Sequence, residues 1–318
     1  MIAALAGRMP PGPLTSVGIG DDSAVVGAPS GSVVAAVDLL LEGRHFLRSW
    51  SSGYDVGVKA AARSLADIAA MGAVPTALLV ALGAPAALPA SWALDLADGL
   101  AFEAGRAGAG VVGGDTARSD SVVLSVTALG DLAGRRPVLR SGAAPGDVVA
   151  VAGTLGHSAA GYALLAAGVT ARPDLTGAHL RPAPPYEAGP EAALLGATAM
   201  IDVSDGLIAD LGHVAASSGV LIAVDSSRLA LGGPLAEAAA LLSGTGSPSS
   251  GTDPAGSAPS LPLTWALTGG EDHSLAAAFP PATALPPRWR VIGSVHAGSG
   301  VTVDGQPYQG PGGWEHFR

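Results

Sequence analysis

The apolar residues of this chain come in short runs that glycine and proline interrupt. Glycine contributes 46 and proline 25 of the 318 residues, close to the share that marks low-complexity sequence. Alanine, valine and leucine nevertheless fill the intervals, and 48% of the residues are hydrophobic, which argues against a disordered chain. Valine-rich runs alternate with alanine-rich stretches of helical spacing. The sequence therefore predicts a mixed α/β protein.

These runs predict where the elements and domains lie. The predicted strands are 17–26, 32–41, 76–82, 110–112, 122–129, 148–152, 200–203, 263–267, 274–279, 290–295 and 301–303. The predicted helices are 54–71, 92–107, 158–167 and 204–217. The turn-rich stretch 141–147 predicts a joint between an N-terminal domain, 1–141, and a C-terminal domain, 142–318. Residues 243–260 are nearly all small or polar and predict a flexible surface loop without function.

Charge and cysteine content exclude several classes of protein. The chain has no cysteine, which excludes disulfides, thiolate zinc sites and a cysteine nucleophile. It has 26 acidic against 16 basic residues, a poor balance for binding nucleic acid. Prolines and glycines break its longest apolar run, and the N-terminus lacks the pattern of a signal peptide. We therefore expect a cytoplasmic protein that binds neither nucleic acid nor membrane.

The acidic residues fall at unusual places. Asp38 interrupts an apolar strand, Asp67 lies among the apolar residues of a helix, and Asp115 ends a strand in the sequence GGDT. Further acids lie in glycine-rich or apolar sequence: Asp21, Asp22, Asp202, Asp205, Glu271 and Asp272. A lone carboxylate is costly there unless it is paired or metal-bound. With too few basic residues nearby, the set indicates hard divalent cations, Mg²⁺ above all.

A simpler interpretation exists for single members of this set. Asp205 could merely favour the first turn of its helix, and Asp21 its own turn. Turn chemistry does not explain Asp38 or Asp67, which stand inside apolar runs.

Carboxylates that hold Mg²⁺ indicate phosphate chemistry, but the familiar nucleotide motifs are missing. There is no GxxxxGK[ST] loop and no protein-kinase motif set. Metal ions and backbone N–H groups must then carry most of the phosphate charge. The glycine turns at 113–114, 153–161 and 269–270 could supply such amides, although each signal is weak alone. Neither GxSxG nor HExxH occurs, and His45, which follows Asp38, is the best-placed histidine.

Taken in order, several stretches resemble the thiamine-monophosphate kinase family, of the superfamily that includes aminoimidazole ribonucleotide synthetase. They are GIGDDSAVV (18–26), VDLLLEGRHF (37–46), KAAARSLADIAAMGAVP (59–75), GGDTARS (113–119), RSGAAPGDVVAVAGTLGHSAAG (140–161), HLRPAPP (179–185), IDVSDGLIADLGH (201–213), LTGGED (267–272) and GWEHF (313–317). Together they span nearly the whole chain, and the IDVSDGL, GGED and GWEHF stretches are the most specific.

The resemblance implies ATP-dependent phosphorylation of thiamine monophosphate to thiamine diphosphate, by direct in-line transfer with several Mg²⁺ ions and no phosphoenzyme. It implies two α/β domains, the first forming a homodimer with a barrel-like sheet. By motif, the implied metal ligands are Asp22, Asp38, Asp67, Asp115, Asp202 and Asp205. The implied ATP contacts are Gly114, Asp115, Arg140 and Ser204, and the implied thiamine-phosphate contacts are His45, Glu271 and Trp314. No residue is implied as a catalytic base.

The chain departs from the family pattern at three places. Ala36 and Val37 stand before Asp38 where the family usually has Ser-Thr, which predicts weakened metal affinity rather than lost activity. His273 and Ser274 follow GGED in place of Tyr-Glu, and the N-terminal opening is short. Two alternatives stay open: a non-catalytic binder of thiamine phosphate or nucleotide, and another ATP-dependent enzyme of the superfamily. Members that depend on cysteine or selenocysteine do not fit a chain without cysteine.

Overall fold

The protein divides into two compact units, each with its own sheet. The computed structural model describes residues 5, 7–19, 23–244, 260–308 and 312–313. The first unit comprises residues 1–138 and 184–194, and the second comprises 139–183 and 195–318. Both units combine helices with strands, so the mixed α/β class is confirmed.

Strands and helices alternate along most of the chain. In chain order the elements are β1 (Thr15–Val17), β2 (Val25–Val26), β3 (Val34–Leu41), α1 (Gly53–Ala70), β4 (Val74–Ala84), α2 (Ala90–Arg106), β5 (Gly110–Arg118), β6 (Val123–Asp131), β7 (Val148–Ala152), α3 (His157–Ala166), α4 (Pro173–Leu180), α5 (Ala188–Leu194), β8 (Ala199–Val203), α6 (Leu207–Ser218), β9 (Leu221–Val224), a 3₁₀ turn (Ser226–Arg228), α7 (Pro234–Gly244), α8 (Leu261–Thr268), β10 (Ser274–Phe279), β11 (Trp289–His296), β12 (Gly300–Val303) and β13 (Gln306–Pro307).

The first unit is built on a four-stranded sheet in the order β3-β6-β4-β5. Strands β4 and β5 are parallel and are joined through α2, whereas β6 pairs antiparallel with both β3 and β4. Strands β1 and β2 form a separate antiparallel pair. Helix α1 covers one face of the sheet: its Ser64 hydroxyl oxygen lies 3.1 Å from the Val126 carbonyl oxygen of β6.

The other face of this sheet carries apolar side chains in contact with solvent. Val33, Val37 and Leu39 are 52%, 63% and 54% exposed, and they alternate with buried or half-buried residues along β3. Val74 and Leu79 add exposed apolar surface on β4. We refer to the surface of these five residues as the open face.

Helices α1 and α2 approach each other through glycine. Ser52 caps α1, because its hydroxyl accepts from the Asp55 N–H while the Asp55 carboxylate accepts from the Ser52 N–H. A Cβ atom on Gly57 would lie 2.2 Å from the Leu96 carbonyl oxygen, so the two backbones touch there. The contact therefore has no room for a side chain.

A segment from late in the sequence completes the first unit. Tyr186 donates its hydroxyl to the buried Glu103 carboxylate at 2.5 Å, and the Arg106 guanidinium binds the same carboxylate at 2.6 Å. Arg106 also stacks on the Tyr186 ring at 4.6 Å and donates to the Pro184 carbonyl oxygen at 3.3 Å. These bonds hold the 184–194 segment against α2.

The second unit is built on a seven-stranded sheet in the order β13-β12-β9-β11-β7-β10-β8. All its pairs are antiparallel except β12 with β9. Helix α6 packs its apolar residues into the main core of this unit. A second, smaller apolar cluster joins α3, α4, α7 and α8.

Several predicted elements differ from the structure. The predicted strand 263–267 is wrong: these residues lie in α8, whose first turn contains proline, a residue suited to a helix start. The predicted strand 17–26 is instead the end of β1 and the separate strand β2. The predicted helix 204–217 begins only at Leu207. Among the described residues, the sequence prediction also misses α4, α5, α7, β9, β13 and the 3₁₀ turn.

Two further expectations concern a loop and a membrane segment. The predicted loop 243–260 lies mostly outside the described residues, except that Ser243 and Gly244 end α7 and Ser260 precedes α8. Over the part of the chain that the structure describes, no helix is both long and apolar enough to span a membrane.

The contact between α1 and α2 gives a first prediction. Gly57→Ala should lower the free energy of unfolding by about 1–3 kcal/mol, because the added methyl group meets the Leu96 backbone. Gly105→Ala is the matched control: this glycine is exposed near the end of α2, and its added Cβ meets nothing within 4 Å. The control should raise stability by about 0.5–1 kcal/mol. Urea unfolding measures both, and equal effects would contradict the prediction.

Candidate active site

In the first unit, the side chain of Asp38 faces helix α1. The Ser64 hydroxyl donates to Asp38 Oδ2 at 3.0 Å, and an Arg63 guanidinium nitrogen lies 3.9 Å from Oδ1. Asp67 follows Ser64 by three residues, so it lies on the same side of α1 and is half-buried. The structure therefore brings the predicted ligands Asp38 and Asp67 to one face of the sheet.

His45 lies in the turn that follows β3. The Leu41 N–H donates to His45 Nδ1 at 3.0 Å, and the buried Lys59 ammonium donates to the His45 carbonyl oxygen at 3.1 Å. Because Nδ1 accepts a hydrogen bond, the neutral ring carries its proton on Nε2. The half-buried ring can thus donate from Nε2 to an anionic group.

Gly114 and Asp115 lie at the other edge of the same sheet. Strand register places Gly114 opposite Val80, Val80 opposite Val126, and Val126 opposite Asp38. Asp115 belongs to the next row, with Ala81, Ser125 and Leu39, whose side chains point to the opposite face. Three strand spacings of roughly 4.8 Å separate Asp38 from Asp115 by about 14 Å. These two residues of one chain cannot bind the same ion.

A cavity of ≈ 160 Å³ lies beside the Gly113–Thr116 stretch. Its other walls are mostly apolar, from α2, β4 and the N-terminal segment: Leu5, Met9, Ile19, Val80, Leu82, Ala93, Leu96, Ala97, Leu100 and Val111. A Cβ on Gly114 would lie 1.9 Å from the Val80 carbonyl oxygen, which explains why glycine is needed at this wall. The cavity combines an apolar interior with polar groups along one wall, as small-molecule sites do.

In the second unit, the turn between β8 and α6 carries three predicted site residues. Asp202 is the second-to-last residue of β8 and is buried, and Ser204 and Asp205 follow the strand and are half-buried. The carboxylate of Asp210, in the first turn of α6, accepts from three successive backbone N–H groups. The donors are Ser204 at 3.0 Å, Asp205 at 3.1 Å and Gly206 at 3.1 Å. Asp210 thereby fixes the shape of this turn.

The GGED loop, residues 269–274, packs directly on that turn. The Glu271 N–H donates to the Ser204 carbonyl oxygen at 2.8 Å, and the His273 N–H donates to the Val203 carbonyl oxygen at 2.9 Å. Asp272 is buried and caps α3, where it accepts from the Gly156 N–H at 2.5 Å and the Ser158 N–H at 2.8 Å. The loop therefore places Glu271 next to the Ser204 turn.

The His273 ring and the backbone of residues 312–313 also contact the turn between β8 and α6. The His273 ring nitrogen Nδ1 lies 3.2 Å from Asp202 Oδ2, and both side chains are buried. The Gly312 carbonyl oxygen accepts from the Ala209 N–H, and a Cβ on Gly313 would lie 2.2 Å from the Asp205 carbonyl oxygen. The chain just before Trp314 thus contacts the turn.

Burial raises the pKa of two of these carboxyl groups, and nearby carboxylates add to the effect at one of them. Burial, with the nearby charges of Asp202 and Asp205, raises the pKa of Asp210 to about 7, although backbone donors oppose the shift. Burial likewise raises the pKa of Asp272 to about 7, against the N–H donors of Ser158 and Gly156. The carboxylates of the Asp202–Asp210 region are therefore close enough to interact strongly.

Of the remaining predicted residues, the structure describes only Arg140. Arg140 is exposed, and its carbonyl oxygen accepts from the Ser218 hydroxyl at 3.1 Å. Asp22 and Trp314 lie outside the described residues. Sequence reasoning missed the roles of Ser64, Asp210 and Asp272. Only Asp210 has a recognisable signal, since an acidic residue in the first turn of a helix favours backbone N–H contacts.

The carboxylates of Asp202 and Asp205 suit an Mg²⁺ ion that is bound by both the protein and the substrate. Within residues 5–308, setting aside the parts left undescribed, no three histidine or acidic side chains form a ready metal cage. Mg²⁺ commonly binds through one or two carboxylates plus substrate phosphates and water. Asp202 and Asp205 offer carboxylate oxygens, and they repel a third carboxylate, that of Asp210. A divalent cation would relieve that repulsion, so the residues present fit the ion.

Comparison with known proteins relates the whole chain to one set of enzymes. Residues 20–132 match a family model described as AIR synthase related protein, N-terminal domain. Thiamine-monophosphate kinase of Mycobacterium tuberculosis is 49% identical over 302 residues, covering 95% of this chain and 86% of that protein. The thiamine-monophosphate kinase of Corynebacterium glutamicum is 40% identical, covering 94% and 88%.

Solved structures agree over almost the full length. The thiamine-monophosphate kinase of Stenotrophomonas maltophilia K279a has a TM-score of 0.79 at 32% identity and covers 93% of both chains. AaThiL complexed with AMPPCP and TMP has a TM-score of 0.80 at 34% identity and covers 94% of this chain and 92% of that one.

The raised pKa of Asp210 predicts how stability depends on pH without metal. Its folded pKa of about 7 exceeds the ordinary value of 3.8, so the folded state holds the proton more tightly. Its contribution to stability is full below pH 4 and is lost as pH rises to 7, by up to about 4 kcal/mol. Asp210→Asn removes the charge and keeps an acceptor, so its stability relative to wild type should rise between pH 4 and 7.

Asp210→Ala is the matched variant for this test. It removes the acceptor of three N–H groups and should cost about 3 kcal/mol or more even at low pH. Chemical unfolding in EDTA at pH 4, 5.5 and 7 measures both variants. A pH-independent difference between wild type and Asp210→Asn would contradict the predicted pKa effect.

Proposed function

The chain belongs to the thiamine-monophosphate kinase family, and from this membership we infer that it transfers the γ-phosphoryl group of ATP to thiamine monophosphate. The observation that carries the inference is the 49% identity to a thiamine-monophosphate kinase along 95% of this chain. The products are thiamine diphosphate and ADP. We propose that residues 1–141 carry dimerisation and most of the contacts to ATP and Mg²⁺, and we place the reaction in the cytoplasm.

We propose that the enzyme uses several Mg²⁺ ions. The proposed ligands are Asp22, Asp38, Asp67 and Asp115 in the first unit and Asp202 and Asp205 in the second. When bound, the ions would neutralise phosphate charge and align the reacting groups. The contacts of Asp38 with Ser64, and of Asp202 with His273, support the assignment, because each holds a carboxylate in place with a neutral donor.

The chemistry needs no protein base. The second pKa of a phosphate monoester is near 6, so the acceptor phosphate is largely a dianion at neutral pH. One of its oxygens attacks the γ-phosphorus of ATP in line with the departing ADP oxygen, and no proton has to be removed first. Arg140, exposed and permanently charged, would bind an ATP phosphate oxygen, and Ser204 would offer its hydroxyl.

The Ser204–Gly206 turn differs from a helix N-terminus that binds phosphate directly. Its three N–H groups already donate to the Asp210 carboxylate. These donors are therefore occupied within the protein, and the turn would contact ATP through the Ser204 side chain and through cations on Asp202 and Asp205. This arrangement agrees with a site that relies on metal ions rather than on a phosphate-binding loop.

We propose that the cavity beside Gly114 receives the adenine ring. Its walls of leucine, valine and alanine suit a flat apolar ring, and the Gly113–Thr116 backbone provides polar groups at its edge. For thiamine monophosphate we propose contacts from His45, Glu271 and Trp314. The Nε2–H of His45 suits a phosphate oxygen, Glu271 suits the cationic thiazolium ring, and Trp314 would stack on that ring.

We also propose a homodimer formed through the open face. Val33, Val37 and Leu39 expose more than half of their surface, on a sheet whose other face is covered. Exposed apolar patches of this kind are commonly buried against a second copy of the same chain. Asp115 shares a row with Leu39, so this dimer would place Asp115 beside the partner chain, whereas Asp38 faces α1.

An ADP-release assay with ATP and Mg²⁺ tests the activity. ADP should form with thiamine monophosphate, alongside thiamine diphosphate, and not with thiamine or formylglycinamidine ribonucleotide as acceptor. Asp205→Asn should lower turnover by roughly 100-fold, because it removes a charged ligand of the ion. Asp120→Asn, at an exposed position, is the control and should leave turnover unchanged. Titrating Mg²⁺ in the same assay tests the weak affinity expected from Ala36 and Val37.

Two results would contradict this proposal. Tight binding of thiamine monophosphate without turnover would favour a non-catalytic relative. Full turnover of Asp205→Asn would remove that residue from the set of metal ligands.

A substitution in the open face tests the dimer. Val37→Asp places a charge at an apolar position that is 63% exposed, and the variant should sediment as a monomer, because burying an unpaired charge in the interface is costly. A dimer that survives Val37→Asp would contradict the use of this face.

A further inference from the structure

His273 occupies an unusual backbone conformation inside the protein. Its φ is +51°, in the left-handed region that residues other than glycine seldom adopt, and it is 2% exposed. Glu271, two residues earlier, has a φ of +67°. Left-handed backbone at such residues is unfavourable and persists only where the surrounding contacts enforce it. The GGED loop therefore holds His273 in place against a conformational cost.

The surrounding contacts place the imidazole on one particular carboxylate. The His273 N–H binds the Val203 carbonyl oxygen at 2.9 Å, and β10 begins at the next residue, with Ser274 opposite Val203 and Leu275 opposite Asp202. The ring of His273 reaches Asp202, with Nδ1 3.2 Å from Oδ2. Asp202 is 4% exposed, so neither partner exchanges this contact for water.

We propose that His273 is a positioning residue for Asp202. The neutral imidazole carries its proton on Nδ1 and donates it in a hydrogen bond to Oδ2. This bond fixes the plane of the carboxylate and leaves Oδ1 as the oxygen that serves Mg²⁺. Partners of this kind orient metal-binding carboxylates, and their loss typically lowers metal affinity by about 10–100-fold. The inference rests on the proposed metal role of Asp202.

Two substitutions separate the hydrogen bond from the backbone conformation. Asparagine tolerates a left-handed φ, and its side-chain NH₂ can donate from nearly the position of Nδ1. Glycine adopts the same φ without cost but has no donor. His273→Asn therefore keeps both features, whereas His273→Gly keeps only the backbone conformation. Chemical unfolding of each variant identifies conditions in which both are folded.

The first readout uses the metal-free protein and does not depend on activity. Nitrogen-15 NMR of the histidine side chains should show His273 as the Nδ1–H tautomer, the less common form of a neutral imidazole. Asp202→Asn should shift this signal, because it replaces the charged acceptor. A His273 ring with its proton on Nε2 would overturn the proposal.

The second readout is the binding of Mn²⁺ as a probe for Mg²⁺, measured by electron paramagnetic resonance. Asp202→Asn defines the binding that depends on Asp202. His273→Gly should weaken that binding by about 10–100-fold, and His273→Asn should keep it within about threefold. In turnover assays, the apparent Mg²⁺ constant of His273→Gly should rise, while kcat at saturating Mg²⁺ stays near wild type.

The outcomes distinguish this inference from the proposed function. If Asp202→Asn loses Mn²⁺ binding but folded His273→Gly binds like wild type, the positioning role is overturned and the metal role of Asp202 stands. If His273→Asn is as impaired as His273→Gly, the hydrogen bond is not what matters and the positioning role is again overturned. If Asp202→Asn binds Mn²⁺ like wild type, the metal role of Asp202 fails, and the inference fails with it.

Discussion

Apart from Asp202, whose side chain contacts His273, the buried carboxylates of the second unit take their partners from the backbone and from hydroxyl groups. Asp210 accepts from three N–H groups, and Asp272 accepts from two at the start of α3. Asp147 accepts from the Ala144 N–H and the Thr198 hydroxyl. A buried carboxylate without donors would cost several kcal/mol, so these bonds fix the loops that supply the donors. The turn that carries Asp202 and Asp205 is thus shaped by the protein, before any cation binds.

In the first unit, the side chain of Asp38 is held by a hydroxyl group rather than by backbone N–H groups. Asp38 stands on a strand, where its backbone is already paired, so its side chain takes a hydroxyl partner from α1. Strand alternation then divides the acidic residues between two faces of one sheet. Asp38 faces the helix, and Asp115 belongs to the row of Leu39, on the side that carries exposed apolar residues. The proposed dimer through the open face would therefore bring Asp115, and not Asp38, towards the second copy.

Much of the fold and part of the site follow from the sequence, for physical reasons. Long periodic segments such as α1 and strands with continuous valine runs were predicted within a few residues, because periodicity is strong there. The run 263–267 was assigned as a strand because a short apolar stretch has no decisive period. The Asp202–Asp205 turn was predicted from acids in apolar sequence. The contact of His273 with Asp202 was not, since it joins residues 71 positions apart through strand pairing and a left-handed backbone.

Because the first unit includes residues 184–194, it stays incomplete until that segment has been synthesised. The first unit is not one continuous stretch: residues 139–183 belong to the second unit, and the chain then returns to supply α5 and Tyr186. A ribosome adding roughly 5–20 residues per second needs about 3–11 s to extend the chain from 138 to 194. Over that interval Glu103 and Arg106 lack Tyr186, and the nascent first unit has an unfinished side. The first unit therefore cannot finish folding until residues 139–183, which belong to the second unit, have been made.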